Sequence, residues 1–523
     1  MRTYIISSML GLLFISIYSC KNKEEEKNTE KTSIPETTFF KESYRPQFHF
    51  SPAEMWMNDP NGLVYNDGTY HLFYQYYPED IVWGPMHWGH ATSKDLVYWE
   101  HQPIALFPDE HGYIFSGSAV LDKNNTSGLG TPDNPPPLVA IFTYHNINKE
   151  KDGSNDFQTQ GIAYSLDNGE FWTKYQNNPV LENDGIRDFR DPKVFWHEAT
   201  QSWIMVLVAG DHAKIYRSAD LISWIYLSEF GKEAGAHGGV WECPDLFPLK
   251  ASGSGEEKWV LIISINPGAP NGGSGTQYFI GEFDGTTFTS NQLAAKWIDW
   301  GTDNYAGITY NNEPYNRRIF IGWMSNWDYA RDTPTKEWRS AMTVPRNLSL
   351  IKLGNSYELA NYPLEDFGTI FKSEIKKDLE LAAGESETIA FDNYNQSEIR
   401  FKTTNRDFEF SFNNSLAEEL VLTLEGDQEV FLLNRTKSGK TTFKEEFAKN
   451  VQKMPISNMS EGEVEVRILI DWSSIEVFIN NGQYVMTSQI FPNEPYTNLV
   501  FKNSSSSVLI INSLEVNRAE SIW

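Results

Sequence analysis

Only two cysteines occur in 523 residues, Cys20 and Cys243. Cys20 closes an apolar N-terminal run, so Cys243 has no partner in the folded chain, no internal disulfide is possible, and stability must come from packing. Basic residues are also scarce. There are 43 against 70 acidic ones, a net charge of −27, and no basic patch to neutralise a phosphate backbone. This excludes nucleic acid as a partner. The glycine-rich stretch NPGAPNGGSGTQ lacks the Gly-Lys-Ser/Thr of a phosphate loop and reads as a surface loop. HWGH, His87 to His90, offers two histidines without a third ligand in sight and reads as structural rather than as a zinc site. No cofactor is expected.

The one long apolar run is MRTYIISSMLGLLFISIYSC, which reads as a secretory signal over residues 1–20 rather than a membrane-spanning helix. Its end, Ile17-Tyr18-Ser19-Cys20, resembles a bacterial lipobox. That resemblance implies a lipid-modified Cys20 at the mature N-terminus, an ordinary signal peptide cleaved elsewhere being the alternative. KNKEEEKNTEKTSIPETT has nothing apolar to bury, so residues 21–44 are expected to form a solvated tether. Its acidic run resembles the surface-export signals of some Gram-negative lipoproteins, and equally reads as a plain charged linker. The expected location is the outer membrane or cell surface through the lipid anchor, with the periplasm as the alternative.

The length exceeds one ordinary core, which predicts two domains behind the tail. Aromatic residues make up 14%, with 17 Trp and 25 Tyr, suited to packed β-structure and to sugar-binding ring faces. Over residues 45–350 the strands recur in a fixed order. SKDLVYW, SLDNGEFW and SADLISW repeat one outer segment, with GEFDGTTF as a weaker fourth. Hairpins precede them, as in GLVYNDGTYHLFYQY, KVFWHEATQSWIMVLVA, DLFPLKASGSGEEKWVLIIS and GITYNNEPYNRRIFIGW. Together with the unit beginning SGSAVLD, these make five units too small to bury their own faces. Radial stacking as a five-bladed β-propeller resolves this, with paired sandwiches or a β-helix as alternatives.

Three units carry a carboxylate ahead of their first strand in a matching frame: Asp59 before Pro60, Asp191 before Pro192, and Glu242 before Cys243-Pro244. If the first strands line a channel, the three acids meet at one mouth. In WMNDPNG, Pro60 fixes the backbone and Gly62 permits close approach, which aims Asp59 at the axis. Crowded carboxyls are pushed to different proton affinities, and a proton donor beside a carboxylate is what glycoside hydrolysis requires. A single Asp-Pro would be ordinary turn chemistry. Three in equivalent positions, flanked by Trp, Phe or Arg, favour catalysis over capping or metal binding.

WMNDPNG, FRDPKVFW and WECPDLF, with FSGSAV, SINPGAPNGG and SNWDYARDTPTKEWRSAMTVPR, resemble glycoside hydrolase family 32, the invertases, inulinases and levanases. The resemblance runs from about Ser51 to the C-terminus. It implies an all-β fold of a five-bladed β-propeller followed by a β-sandwich. It also implies roles: Asp59 as the nucleophile of a fructosyl-enzyme, Glu242 as general acid and then base, and Asp191 as the group holding the fructose hydroxyls. Asn58, Gln75, Trp83, Ser116, Arg190 and Trp327 fall where that family lines its fructose pocket, although turn, strand-end or packing roles suit each residue taken alone. Trp56 resembles the hydrolytic members, so water is the expected acceptor.

Residues 351–523 lose the repeat and alternate apolar with polar residues, as in DFEFSFNN and ELVLTLEG, which reads as an antiparallel sandwich. VRILIDWSSIEVFINNGQYVMTSQIF resembles the family's C-terminal signature, with a hairpin at Asn481-Gly482 and structural acids at Asp471 and Glu476. The expected activity is retaining hydrolysis of β-fructofuranosyl linkages in levan, inulin or sucrose, exo-acting with release of fructose. The alternatives are an endo-acting levanase or inulinase, a non-catalytic fructan-binding lipoprotein, and an inverting five-bladed hydrolase of another furanose.

Overall fold

The computed structural model describes residues 40–523 apart from Asn134 and Ser460. The signal segment with Cys20, and the tether as far as residue 39, lie outside the described residues. Phe40 and Tyr44, assigned to the tether by composition, are packed. Phe40 stacks on Trp523 at 4.0 Å between ring centroids, and Tyr44 meets Phe491 edge-on. These two rings supply the apolar surface that the preceding charged run lacks.

The described chain is of the all-β class, strands alternating with turns and loops, with one short α-helix, Ile147–Lys151. Five successive stretches each open with a largely buried strand: Met55–Asn66, Tyr113–Leu121, Phe189–His197, Val240–Ser252 and Tyr305–Thr309. The first three stretches build separate sheets, antiparallel except where Trp338 and Arg339 of the fifth stretch join Met55 and Trp56 in parallel. The last two merge where Ala251 and Ser252 pair in parallel with Leu350 and Ile351. The hairpin of Arg346–Leu353 and Ser356–Pro363 carries this part of the chain beyond the boundary expected at 350. The opening strands touch one another in cyclic order, the fifth closing on the first.

Local chemistry explains the hairpins. Asn66 pairs with Thr69 across Asp67 and Gly68, both at positive φ (44° and 73°), the backbone hand that matches strand twist. Gly62 also has a positive φ of 56°, and a Cβ there would lie 2.6 Å from Phe73 and 3.0 Å from Trp88. Glycine therefore lets the first strand close onto its neighbours.

All five opening strands share an irregularity near their start. The register slips between Met57 and Pro60, Ile114 and Gly117, Arg190 and Lys193, Glu242 and Asp245, and Tyr305 and Ile308. In three of them a proline (Pro60, Pro192, Pro244) removes a ladder donor at the slip. A bulge turns side chains out of the pleat. The acids expected just ahead of the strands thus lie within them, at the bulges.

Beyond Pro363 two six-stranded antiparallel sheets enclose one apolar core. Strands such as Glu419–Glu425 alternate buried and part-exposed residues, as a sheet with one covered face must. Asn480, Asn481 and Gly482 all take positive φ in the hairpin joining Ser474–Ile479 to Tyr484–Gln489. Two buried ion pairs tie this region to the preceding sheets, Arg435 to Asp303 at 2.6 Å and Arg346 to Glu476 at 3.3 Å, and Arg346 is also held by Asp299 at 3.0 Å on its own side of the boundary.

Candidate active site

Four of the five bulges aim side chains into one cavity of about 410 Å³. Asp59, Asp191 and Glu242 line it together, although 132 and 51 residues of sequence separate them in turn. Asn58, Gln75, Trp83, Ser116, Arg190 and Trp327 line it as well, so every residue singled out as catalytic or substrate-binding reaches the same space. Trp56 does not line it. It is fully buried behind the wall, stacks on Trp327 at 5.9 Å and donates from Nε1 to Asn58 Oδ1 at 2.7 Å.

That contact begins a relay that orients Asp59. Asn58 Nδ2 donates to Asp59 Oδ1 at 2.9 Å, and Ser116 Oγ donates to Oδ2 at 2.6 Å. Ser116 comes from the second bulge, so two neighbouring strands fix one carboxylate. Asp191 has φ 62° and accepts the Cys243 backbone N–H at 3.0 Å. The Cys243 thiol lies between the two aspartates, 3.6 Å from Asp59 and 3.7 Å from Asp191.

Glu242 is held by different partners. Arg190 Nη2 donates to it at 3.0 Å while Nη1 donates to Asp188 at 2.6 Å, and the Tyr305 hydroxyl donates to the other Glu242 oxygen. Burial pushes the Tyr305 phenol well above its usual range, and the charge of Glu242 adds to this, so Tyr305 remains a proton donor at any working pH. Arg190 stays cationic: its burial opposes the charge, but Glu242, Asp191 and Asp188 outweigh it.

Burial is also the largest influence on the two aspartates. It raises Asp59 above the ordinary carboxylate range together with repulsion from Glu242, against the hydrogen bonds from Ser116 and Asn58. Asp191 is pushed up to about 7 by burial, which outweighs the opposing Arg190 cation and is reinforced by Glu242 and Asp59. Crowding of this kind keeps protons in the site at pH values where exposed carboxyls have lost them. The arrangement can thus offer a carboxylate and a carboxylic acid at once.

Several lining residues were not legible in the sequence. Phe115 faces Trp83 edge-on at 6.1 Å and stacks on His145 at 4.2 Å, which makes an aromatic wall. Glu150, on the short helix, pairs with His145 at 3.2 Å. Asn266, at the start of the glycine-rich loop, and Arg331 line the cavity as well. Tyr305 occupies in the fifth strand the bulge that carries an acid in three others, and that equivalence was its available signal. His90 of HWGH stacks on Phe73 at 4.2 Å and hydrogen-bonds His71 at 3.1 Å, while His87 bonds the Pro85 carbonyl at 2.9 Å.

Comparison with known proteins places this geometry. Residues 49–363 match the glycosyl hydrolases family 32 N-terminal domain, and residues 369–518 match the family 32 C-terminal domain. A levanase of Bacillus subtilis (strain 168) is 44% identical over 499 residues, covering 93% of this chain and 72% of the relative. An extracellular exo-inulinase of Aspergillus ficuum is 41% identical over 494 residues, covering 87% of this chain and 90% of the relative. The crystal structure of an exo-inulinase from Aspergillus awamori superposes with a TM-score of 0.86 at 37% identity, covering 92% of this chain and all (100%) of that one. A β-fructofuranosidase from Schwanniomyces occidentalis, complexed with fructosyl-erythritol, superposes at 0.82 with 31% identity, covering 94% and 100%. With both family domains matched in order and relatives of this identity along nearly the whole chain, the protein belongs to glycosyl hydrolase family 32.

Proposed function

We propose that this protein is an exo-acting, retaining fructan β-fructosidase that removes terminal fructose from levan or inulin. The observation that carries the reading is the convergence of Asp59, Asp191 and Glu242 at three equivalent bulges in one cavity. The levanase and exo-inulinase relatives support the substrate class. The five opening strands in cyclic contact support a five-bladed propeller, and the two facing six-stranded sheets support a C-terminal β-sandwich.

In this mechanism the Asp59 carboxylate attacks the anomeric carbon while Glu242 gives its proton to the departing linkage oxygen, leaving a fructosyl ester on Asp59. Glu242, now a carboxylate, takes a proton from water, and the resulting attack on the anomeric carbon releases fructose with retained configuration and restores both groups. Arg190 and Tyr305 hold Glu242 in place through both steps. Asp191 binds sugar hydroxyls and opposes the positive charge that develops on the ring. The cavity is bounded by Trp83 and Phe115 on one side and by Trp327 and Arg331 on another. The exo-inulinase relatives support exo action.

The early products from levan, inulin and sucrose test this reading. Fructose alone, appearing first as the β-anomer by proton NMR, is the expected result, whereas a ladder of oligosaccharides would replace exo by endo action and an α-anomer would overturn retention. We also infer export as a lipoprotein anchored through Cys20, on the strength of the N-terminal sequence. Labelling with a fatty acid should be lost in Cys20→Ala.

A further inference from the structure

We propose that Arg435, in the C-terminal sandwich, is a positioning residue for the active site, acting through Tyr329 to set the Trp327 wall of the cavity. This rests on the reading of that cavity as the fructosyl site.

Arg435 lies on strand Val430–Lys437 and is 1% exposed. Its guanidinium makes four hydrogen bonds, two of them across the boundary between the two parts of the fold. Nη1 donates to Asp303 Oδ2 at 2.6 Å and to the Gln489 carbonyl at 2.9 Å, Nε donates to the Phe447 carbonyl at 2.8 Å, and Nη2 donates to the Tyr329 hydroxyl at 2.8 Å. The guanidinium also lies 3.9 Å from the centre of the Phe447 ring. Tyr329 in turn donates to Asp303 Oδ1 at 2.7 Å. The rigid fork of arginine fixes a direction as well as a charge, which a lysine cannot do.

Tyr329 belongs to the turn that carries Trp327. The Tyr329 and Ala330 amides donate to the Asn326 carbonyl at 3.1 and 2.8 Å, and the Trp327 amide donates to Ser274 Oγ at 3.2 Å. From this turn Tyr329 points into the sandwich boundary while Trp327 points into the cavity and stacks on Trp56. A second tie holds the adjoining wall. Asn271, in the glycine-rich loop, bonds the Lys453 backbone in both directions, at 2.9 and 3.0 Å, and Gly273 packs so closely on Asn326 that a Cβ there would lie 2.0 Å from its amide oxygen. The glycine-rich loop is a surface loop as read from sequence, exposed at Pro267, Gly268, Pro270 and Gly272, and it also links the cavity, through Asn266, to the sandwich, through Asn271. Among the described residues the sandwich supplies none that lines the cavity, yet it sets where one wall stands.

Tyr329→Phe removes the hydroxyl link and leaves the Arg435–Asp303 pair. Steady-state hydrolysis of levan, inulin and sucrose should show KM raised about 5- to 10-fold with kcat within about twofold, because Trp327 contacts bound sugar and no reacting atom. The decisive arm is a cycle with Trp327→Phe: if Tyr329 acts through Trp327, the double variant should show no more KM loss than Trp327→Phe alone. Additive losses, or wild-type KM at a temperature where the variant remains folded, would overturn the proposal and leave the clamp a purely stabilising one. Arg435→Lys, which keeps the charge but loses the fork, should show the same KM effect. Wild-type turnover, measured alongside, separates failure of the functional reading from failure of this one: a wild-type protein that releases no fructose sinks the former. Acrylamide quenching then tests the latter without substrate. Tyr329→Phe should increase quenching in the native background and not in Trp327→Phe.

Discussion

Ser116 Oγ donates a 2.6 Å hydrogen bond to Asp59 Oδ2 across 57 residues of sequence, from the second bulge to the first. This bond favours the ionised carboxylate and opposes the upward push of burial and of Glu242 on Asp59. Ser116→Ala should lower kcat by roughly 10- to 100-fold, since hydrogen bonds to charged groups are worth about 1.5–3 kcal/mol. Without the bond Asp59 holds its proton more tightly. The acid limb of the pH–rate profile should therefore move to higher pH, and the loss should be larger at pH 5 than at pH 7. An unmoved acid limb would mean that Asp59 is not the group titrating there.

Asp191 gives a prediction of opposite sign for activity and stability. Its folded value of about 7 stands above the ordinary 3.8, mainly through burial and against Arg190, so the folded state binds this proton more tightly than the unfolded chain. Below pH 4 both states hold the proton and the group is neutral in effect. Between pH 4 and 7 the folded protein progressively bears the cost of an ionised buried carboxylate, up to about 4 kcal/mol above pH 7. Asp191→Asn should abolish most turnover yet raise the thermal midpoint at pH 8, with the gain vanishing near pH 4. Thermal melts of both proteins across that range check it.

The expectation that Pro60 and Gly62 of WMNDPNG aim Asp59 rests on local rules, and it agrees with the structure as far as it goes. Equivalent frames also pointed to Asp191 and Glu242, because each precedes a proline or Cys-Pro in a repeated unit. What local reading missed was the means of aiming. A bulge is a relation between two strands, and its register cannot be read from one of them, so Tyr305 at the fifth bulge passed unnoticed without an acid to mark it. The Asn58 to Trp56 link is two residues long, yet it exists only because the strand is bent there. The Arg435–Tyr329 bond joins residues 106 apart and leaves no trace in periodicity or motif. Alternation located the C-terminal sheets, but nothing in it said which polar positions face the other part of the fold.

Cys243 lies 3.6 and 3.7 Å from two carboxylates, and burial together with those charges raises its thiol well above 9. A thiol so disposed is protonated and unreactive despite its central position. Native protein lacking residues 1–20 should resist iodoacetamide at pH 8 for hours, and the same protein in guanidinium should take up one equivalent at once. Rapid labelling of the native form, followed by loss of activity, would contradict this placement.

His49 ties the first sheets to the sandwich. Its Nδ1 lies 2.8 Å from Asp471 and its Nε2 3.5 Å from Glu476, and Asp471 also accepts the Gln47 and Phe48 amides at 2.8 and 2.9 Å. Burial disfavours the imidazolium, but the two carboxylates outweigh it and raise His49 to about 9 from 6.5. The folded state thus binds this proton more tightly than the unfolded chain. The resulting stability is fully present below pH 6.5 and is lost as pH rises through 9, an amount of about 3 kcal/mol for a rise of that size. His49→Gln keeps a hydrogen-bonding side chain and removes the charge. It should destabilise the protein most at pH 6 and progressively less toward pH 9.5, where wild type has lost the same charge. Denaturant melts at pH 6, 8 and 9.5 would show the two curves converging. A constant gap between them would assign the effect of His49 to packing instead of charge.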